Sequence, residues 1–134
     1  MRILALPLLL MVFAVHAEVA VIGNLRNPSE ALSAKQVQDI FLGRTRTFPD
    51  GRFALPIDQS SDLRGEFYQK LTSRPVEQIN AYWARIMFTG QASPPLQLPD
   101  DEAVLKVVRE NEGAIGYVSK PHADKTVRVL LQLN

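Results

Sequence analysis

The apolar positions of this chain change their spacing several times along its length, and each change marks an element. Residues 3–15 are an apolar run broken only by Pro7. Residues 18–22 are short, rich in valine and closed by Gly23-Asn24, the pattern of a buried strand. Asn27-Pro28-Ser29 is turn chemistry. Ser33 then opens a helix: Gln36 completes a capping box, Val37, Ile40 and Phe41 share one face, and Gly43 ends it in a left-handed conformation. Pro49-Asp50-Gly51 turns the chain into a strand over 53–58, where Pro56 indicates a sheet edge or a strand end. Ser60, Ser61 and Asp62 are three candidate N-caps for a helix whose Leu63, Phe67 and Leu71 form one stripe. Gly65 lies inside that helix at a cost of about 1 kcal/mol relative to Ala, which close packing or close backbone approach would explain.

Ser73 can cap the next helix, with Pro75 in its first turn. Ile79, Tyr82, Trp83, Ile86 and Met87 give the clearest helical stripe, stopped at Gly90, and place Trp83 in the core. Residues 91–99 carry three prolines and read as an extended loop. Asp100 or Asp101 caps a further helix with Val104, Val107 and Val108 inward and Gly113 at its end. A strand over 114–118, a loop over 121–125 and a strand over 127–133 complete the chain. The order β-α-β-α-α-α-β-β predicts a mixed sheet flanked by helices.

The first segment adds a compartment. Arg2, the apolar run and Val15-His16-Ala17 are the three parts of a secretory signal peptide, and the run is too short to span a bilayer. An uncleaved anchor or a buried first helix are the alternatives. The expected division is a signal peptide over 1–17 and one α/β domain over 18–134. A chain of 134 residues has the size of one domain. No cysteine is present, which excludes disulfides, zinc–thiolate sites and thiol nucleophiles. Fifteen Lys and Arg face fourteen Asp and Glu, so no nucleic-acid footprint is visible. No second apolar run exists, and no membrane span is expected after cleavage.

The candidate chemistry is sparse. No Walker loop, dinucleotide fingerprint or Gly-x-Ser-x-Gly elbow occurs, and no cofactor is indicated. His122 stands alone in a polar loop, where a solvated side chain explains it more simply than catalysis or a metal. Asp100-Asp101-Glu102 suits a capped helix start better than a cation site. The informative stretch is Asp58 to Arg64, a strand end entering a helix through two hydroxyls. First-turn amides and the helix dipole favour an anion, Ser60 and Ser61 add donors, and Arg64 offers a planar fork. Serine at a helix start is also an ordinary cap, and Asp62 repels an anion unless the ligand donates a hydrogen bond to it.

Several segments, in order, resemble the phosphate-binding proteins of ABC transporters: Leu32-Ser33 through Asp39-Ile40-Phe41-Leu42-Gly43, Pro49-Asp50-Gly51, Pro56-Ile57-Asp58, Tyr82-Trp83 with Phe88 and Gly90, and Gly113-Ala114-Ile115-Gly116-Tyr117. Glu112 stands where the family has proline, and Ser60-Ser61-Asp62 where it has Ser-Gly-Thr after a basic residue. The resemblance implies a single lobe similar to a type II periplasmic-binding-protein domain. It also implies a periplasmic, non-catalytic protein binding a small oxyanion such as phosphate, with Ser60 and Ser61 as donors; Arg64 is added on physical grounds. A lobe without its opposing wall leaves three routes: a homodimer, a periplasmic protein partner, or a scaffold that has lost ligand binding.

Overall fold

The computed structural model describes residues 3–8 and 17–134. The expected signal peptide falls mostly outside the described residues. Five strands form one open sheet: β1 (Val19–Gly23), β2 (Leu55–Gln59), β3 (Leu96–Leu98), β4 (Ala114–Ser119) and β5 (Arg128–Leu133). Four helices flank it: α1 (Ala34–Phe41), α2 (Leu63–Thr72), α3 (Val76–Thr89) and α4 (Asp101–Glu110). The sheet order is β3-β2-β4-β1-β5. β2 runs parallel to β3 and β4, while β1 is antiparallel to β4 and β5. This is the mixed, helix-flanked sheet that the hydrophobic pattern predicts.

Strand alternation divides the core between the two faces. Val19, Val21, Ile115 and Tyr117 pack on one side with buried residues of α1, α2 and α3. Ala20, Ile22, Ala114 and Val118 pack on the other with Val104, Leu105 and Val108 of α4. Every residue of β1 is buried, because the strand lies between β4 and β5 under helices on both faces. The capping box at Ser33 forms in full, with Ser33 Oγ accepting from the Gln36 amide at 3.1 Å. Gly43 takes φ +71°, and a Cβ there would meet Trp83 Cη2 at 2.9 Å, so both backbone and packing require glycine.

Several expectations are corrected. Residues 96–98 of the proline-rich stretch are a strand, β3, parallel to β2. Three residues bounded by Pro95 and Pro99 leave no periodic signal, and the strand exists because β2 pairs with it. Pro56 sits in an interior strand, but β3 pairing begins at Ile57, so at Pro56 only β4 is alongside. Ser73 does not cap α3; it ends α2 in the left-handed region at φ 59°, and Pro75 occupies the N-cap of α3. Met87 leaves the buried stripe and is exposed, whereas Ile79 and Trp83 are buried as expected. A Cβ on Gly65 would touch nothing within 4 Å, so neither packing nor close approach explains it. Among the described residues no helix is long and apolar enough to cross a membrane.

Candidate functional site

The chain leaves β2 through α2 and α3 to reach β3 on one side, then returns through α4 to β4 on the other. The helices of the two connections lie on opposite faces of the sheet. The carboxyl ends of the parallel neighbours β2 and β4 therefore flank a topological switch point, where connecting loops diverge and leave a crevice. A cavity of about 450 Å³ lies there, with Gln59, Ser61, Asp62, Asp101, Ser119 and His122 in its walls.

The turn into α2 forms one wall. Ser60 donates its amide to the Leu98 carbonyl at 2.9 Å, which fixes the end of β2 against β3. Ser61 Oγ accepts from the Leu63 amide at 3.3 Å and donates to Gln59 Oε1. The Arg64 amide bonds back to the Ser61 carbonyl at 3.1 Å. Among the described residues the amides of Ser61 and Asp62 have no acceptor. Asp62 occupies the N-cap without a side-chain capping bond, because Ser61 supplies it one residue earlier.

Behind the turn lies a buried carboxylate. Asp58, at the end of β2, accepts from Tyr117 Oη and from the Gln59 amide at 2.8 Å on Oδ1. Its Oδ2 accepts from Tyr68 Oη at 2.9 Å and Arg64 Nε at 3.2 Å. Arg64 extends further to Asn80 Oδ1 at 2.7 Å and lies over the Tyr68 ring. Burial, with the adjacent Asp58 charge, pushes both the Tyr68 and Tyr117 phenols well above the ordinary tyrosine value. Tyr117 in turn stacks on Phe67 with ring centroids 3.8 Å apart. The network ties α2 to β2, β4 and α3 directly beneath the turn.

The opposite wall belongs to Asp101, Ser119 and His122. Asp101 Oδ2 accepts from the Ser119 amide at 3.1 Å and Ser119 Oγ at 2.6 Å, and lies 2.6 Å from His122 Nδ1. Its Oδ1 accepts from Gln59 Nε2 at 2.9 Å. Burial raises the Asp101 pKa, but bonds from Ser119, His122 and Gln59 outweigh it and the net shift is downward. An ionised carboxylate only accepts, so Nδ1 carries the proton of the His122 contact. Ser119 Oγ is also 2.9 Å from the same Nδ1. Serine and acid thus share one ring nitrogen. A serine nucleophile needs the hydroxyl on the nitrogen opposite the acid, so this is not the geometry of a hydrolase triad.

The three expected site residues separate. Ser61 is in the cavity wall, Ser60 is exposed on the same turn, and Arg64 points to Asp58 and Asn80. Sequence reasoning missed Ser119 and read His122 as a lone solvated side chain, whereas the fold holds its ring against Ser119 and Asp101. Ser119 and His122 are three apart, but their partner Asp101 is 21 positions from His122. A polar residue at the end of a predicted strand, followed by a histidine, was the available signal. Asp62, Asp100, Asp101 and Glu102 give the cavity a carboxylate-rich rim. Asp100 Oδ1 caps the Ala103 amide at 2.9 Å, as the sequence anticipates.

No family sequence profile and no curated protein matches the chain. Solved structures do. A protein from Clostridium perfringens assigned as a phosphate ABC transporter substrate-binding protein, with bound phosphate, superposes at a TM-score of 0.67 and 20% identity over 85% of this chain. An ABC-type phosphate transport receptor from Vibrio cholerae gives 0.66 and 18% over 85%, and PstS from Borrelia burgdorferi 0.59 and 12% over 85%. The chain spans 45%, 46% and 47% of those three proteins, respectively. It therefore has the fold of somewhat less than half of a phosphate ABC transporter substrate-binding protein.

Proposed function

We propose that this protein is an exported, periplasmic, non-catalytic binding module that takes a small oxyanion, phosphate first, at the switch-point cavity. The observation that carries the reading is the pair of unpartnered amides, Ser61 and Asp62, at the start of α2 beside that cavity. Amides there point at the ligand and the helix dipole favours negative charge. Ser60 and Ser61 add hydroxyls, the second after exchanging its bond to Gln59 for one to the ligand. Arg64 serves through Asp58, fixing the turn from behind. The bound phosphate in the Clostridium perfringens structure is consistent with the same ligand class.

The carboxylate rim selects among oxyanions. A fully deprotonated tetrahedral anion meets acceptors that it cannot satisfy, whereas a protonated phosphate donates to them. Isothermal titration with phosphate and sulfate tests the proposal. Phosphate binding that exceeds sulfate binding by at least tenfold, and that falls in the Ser60→Ala/Ser61→Ala double variant, supports it. Absence of phosphate binding at millimolar concentration removes it.

A second reading is a protein-interaction module, as a homodimer or with a periplasmic partner. Its specific support is exposed apolar surface at the β3 edge, where Leu55 and Leu96 lie diagonally on adjacent strands at 45% and 50% exposure. Light scattering and capture from periplasmic extract separate this reading from the first.

A further inference from the structure

We propose that His122 is a ligand-contacting residue of this cavity, donating its Nε2–H to the oxyanion as an imidazolium. This rests on the oxyanion reading given above. Three observations lead to it. First, the side chain stands in the cavity wall, across from the Ser61 turn. Second, Asp101 fixes the ring: Nδ1 is 2.6 Å from Oδ2, and Ser119 Oγ, 2.9 Å from the same nitrogen, closes the triangle. Third, Nε2 has no partner among the described residues, although the ring itself is held in place.

The charges around the ring explain why a proton here matters. Asp101 contacts the ring from the first turn of α4, while Glu102 beside it, the N-cap Asp100 and Asp62 at the start of α2 line the same cavity. Lys120, two residues before His122, is paired with Glu18 at 3.2 Å and leaves the cavity without its charge. Arg64 is committed to Asp58. Among the described residues of the cavity wall, His122 is thus the one side chain able to carry positive charge. An anion entering a rim of carboxylates gains a charge-assisted donor only when that imidazole is protonated. Asp101 meets four donors, so its own charge is already absorbed and the imidazolium keeps a free N–H for the ligand. With Nδ1 turned to Asp101, Nε2 becomes a donor only on taking up a second proton, so anion binding here is coupled to proton uptake.

The test compares wild type and His122→Gln in titrations with inorganic phosphate at pH 5.5 and pH 8. Phosphate changes its own protonation over this interval, but equally for both proteins, so the ratio of their dissociation constants isolates the side chain. The expected ratio is about tenfold in favour of wild type at pH 5.5, narrowing to within about twofold at pH 8. Proton NMR of wild type at pH 5.5 should also show the His122 ring resonances moving on addition of phosphate. Equal affinities at both pH values, or a ratio that does not change with pH, overturn the assignment while leaving the oxyanion site intact. No phosphate binding by wild type at either pH overturns both. The exposed position of His122 makes misfolding of the variant simple to check, by comparing the melting temperatures of the two proteins.

Discussion

Arg64 Nε donates to Asp58 Oδ2 at 3.2 Å, and the pair is nearly withdrawn from solvent, with side chains 16% and 4% exposed. The two residues flank the Ser60-Ser61 turn, yet their charges meet beneath it rather than over it. The cation suggested by the sequence as a direct anion ligand is neutralised internally, and the anion reading shifts to backbone amides and to the opposite wall. The buried carboxylate becomes the post on which the turn stands.

Asp58→Ala should therefore lower unfolding free energy by about 3–5 kcal/mol, the cost of breaking a buried, hydrogen-bonded charge network. It strips the acceptor from Tyr68, Tyr117 and Arg64 at once. Arg64→Ala should cost less, about 1–3 kcal/mol, because Asp58 keeps both phenols and an amide. Urea denaturation of both variants checks the order; a smaller loss for Asp58→Ala than for Arg64→Ala contradicts it.

Alkaline stability follows from the phenols. Tyr68 and Tyr117 are raised by burial first and by the Asp58 charge second, so they remain protonated in the folded chain above pH 10. In the unfolded chain tyrosine ionises near pH 10. Their contribution is complete below about pH 10 and is lost as pH rises beyond it. Tyrosinate absorbance should report these two residues ionising together with unfolding, not before. Ionisation of all three tyrosines ahead of any loss of circular dichroism would refute this.

Asp101 works at the other end of the scale. Its pKa is lowered in the folded chain despite burial, so its contribution is present above about pH 4 and fades as pH falls through and below that value. Asp101→Asn should flatten the acid limb of the stability profile between about pH 2 and 4, measured by thermal melting. An unchanged acid limb would show that the bonds from Ser119 and His122 do not favour the ionised form.

Two glycines should respond in opposite directions. A Cβ at Gly116 would lie 2.6 Å from Val104 Cγ1 and 3.5 Å from Ile57 Cβ, between β4 and the helix packed on it. Gly116→Ala should destabilise by about 1–3 kcal/mol through overpacking, with partial recovery on adding Val104→Ala. Gly65→Ala, in open space within α2, should stabilise by about 1 kcal/mol through helix propensity alone. Chemical denaturation decides both signs.

What the sequence by itself determined was local. The capping box at Ser33, the stop at Gly43, the buried stripe of α3 around Trp83 and the valine-rich β1 rest on neighbours within a few positions, and periodicity reports such neighbours directly. The same holds for the ordered segments that resemble phosphate-binding proteins, and the fold follows that resemblance. What only the tertiary structure decided was set by partners distant in sequence. β3 exists because β2 lies beside it, Arg64 turns inward because Tyr68, Tyr117 and Asp58 converge there, and His122 gains meaning from Asp101. A side chain's direction depends on which donor or acceptor the fold brings within about 3 Å, and that is a property of packed elements rather than of spacing along a chain.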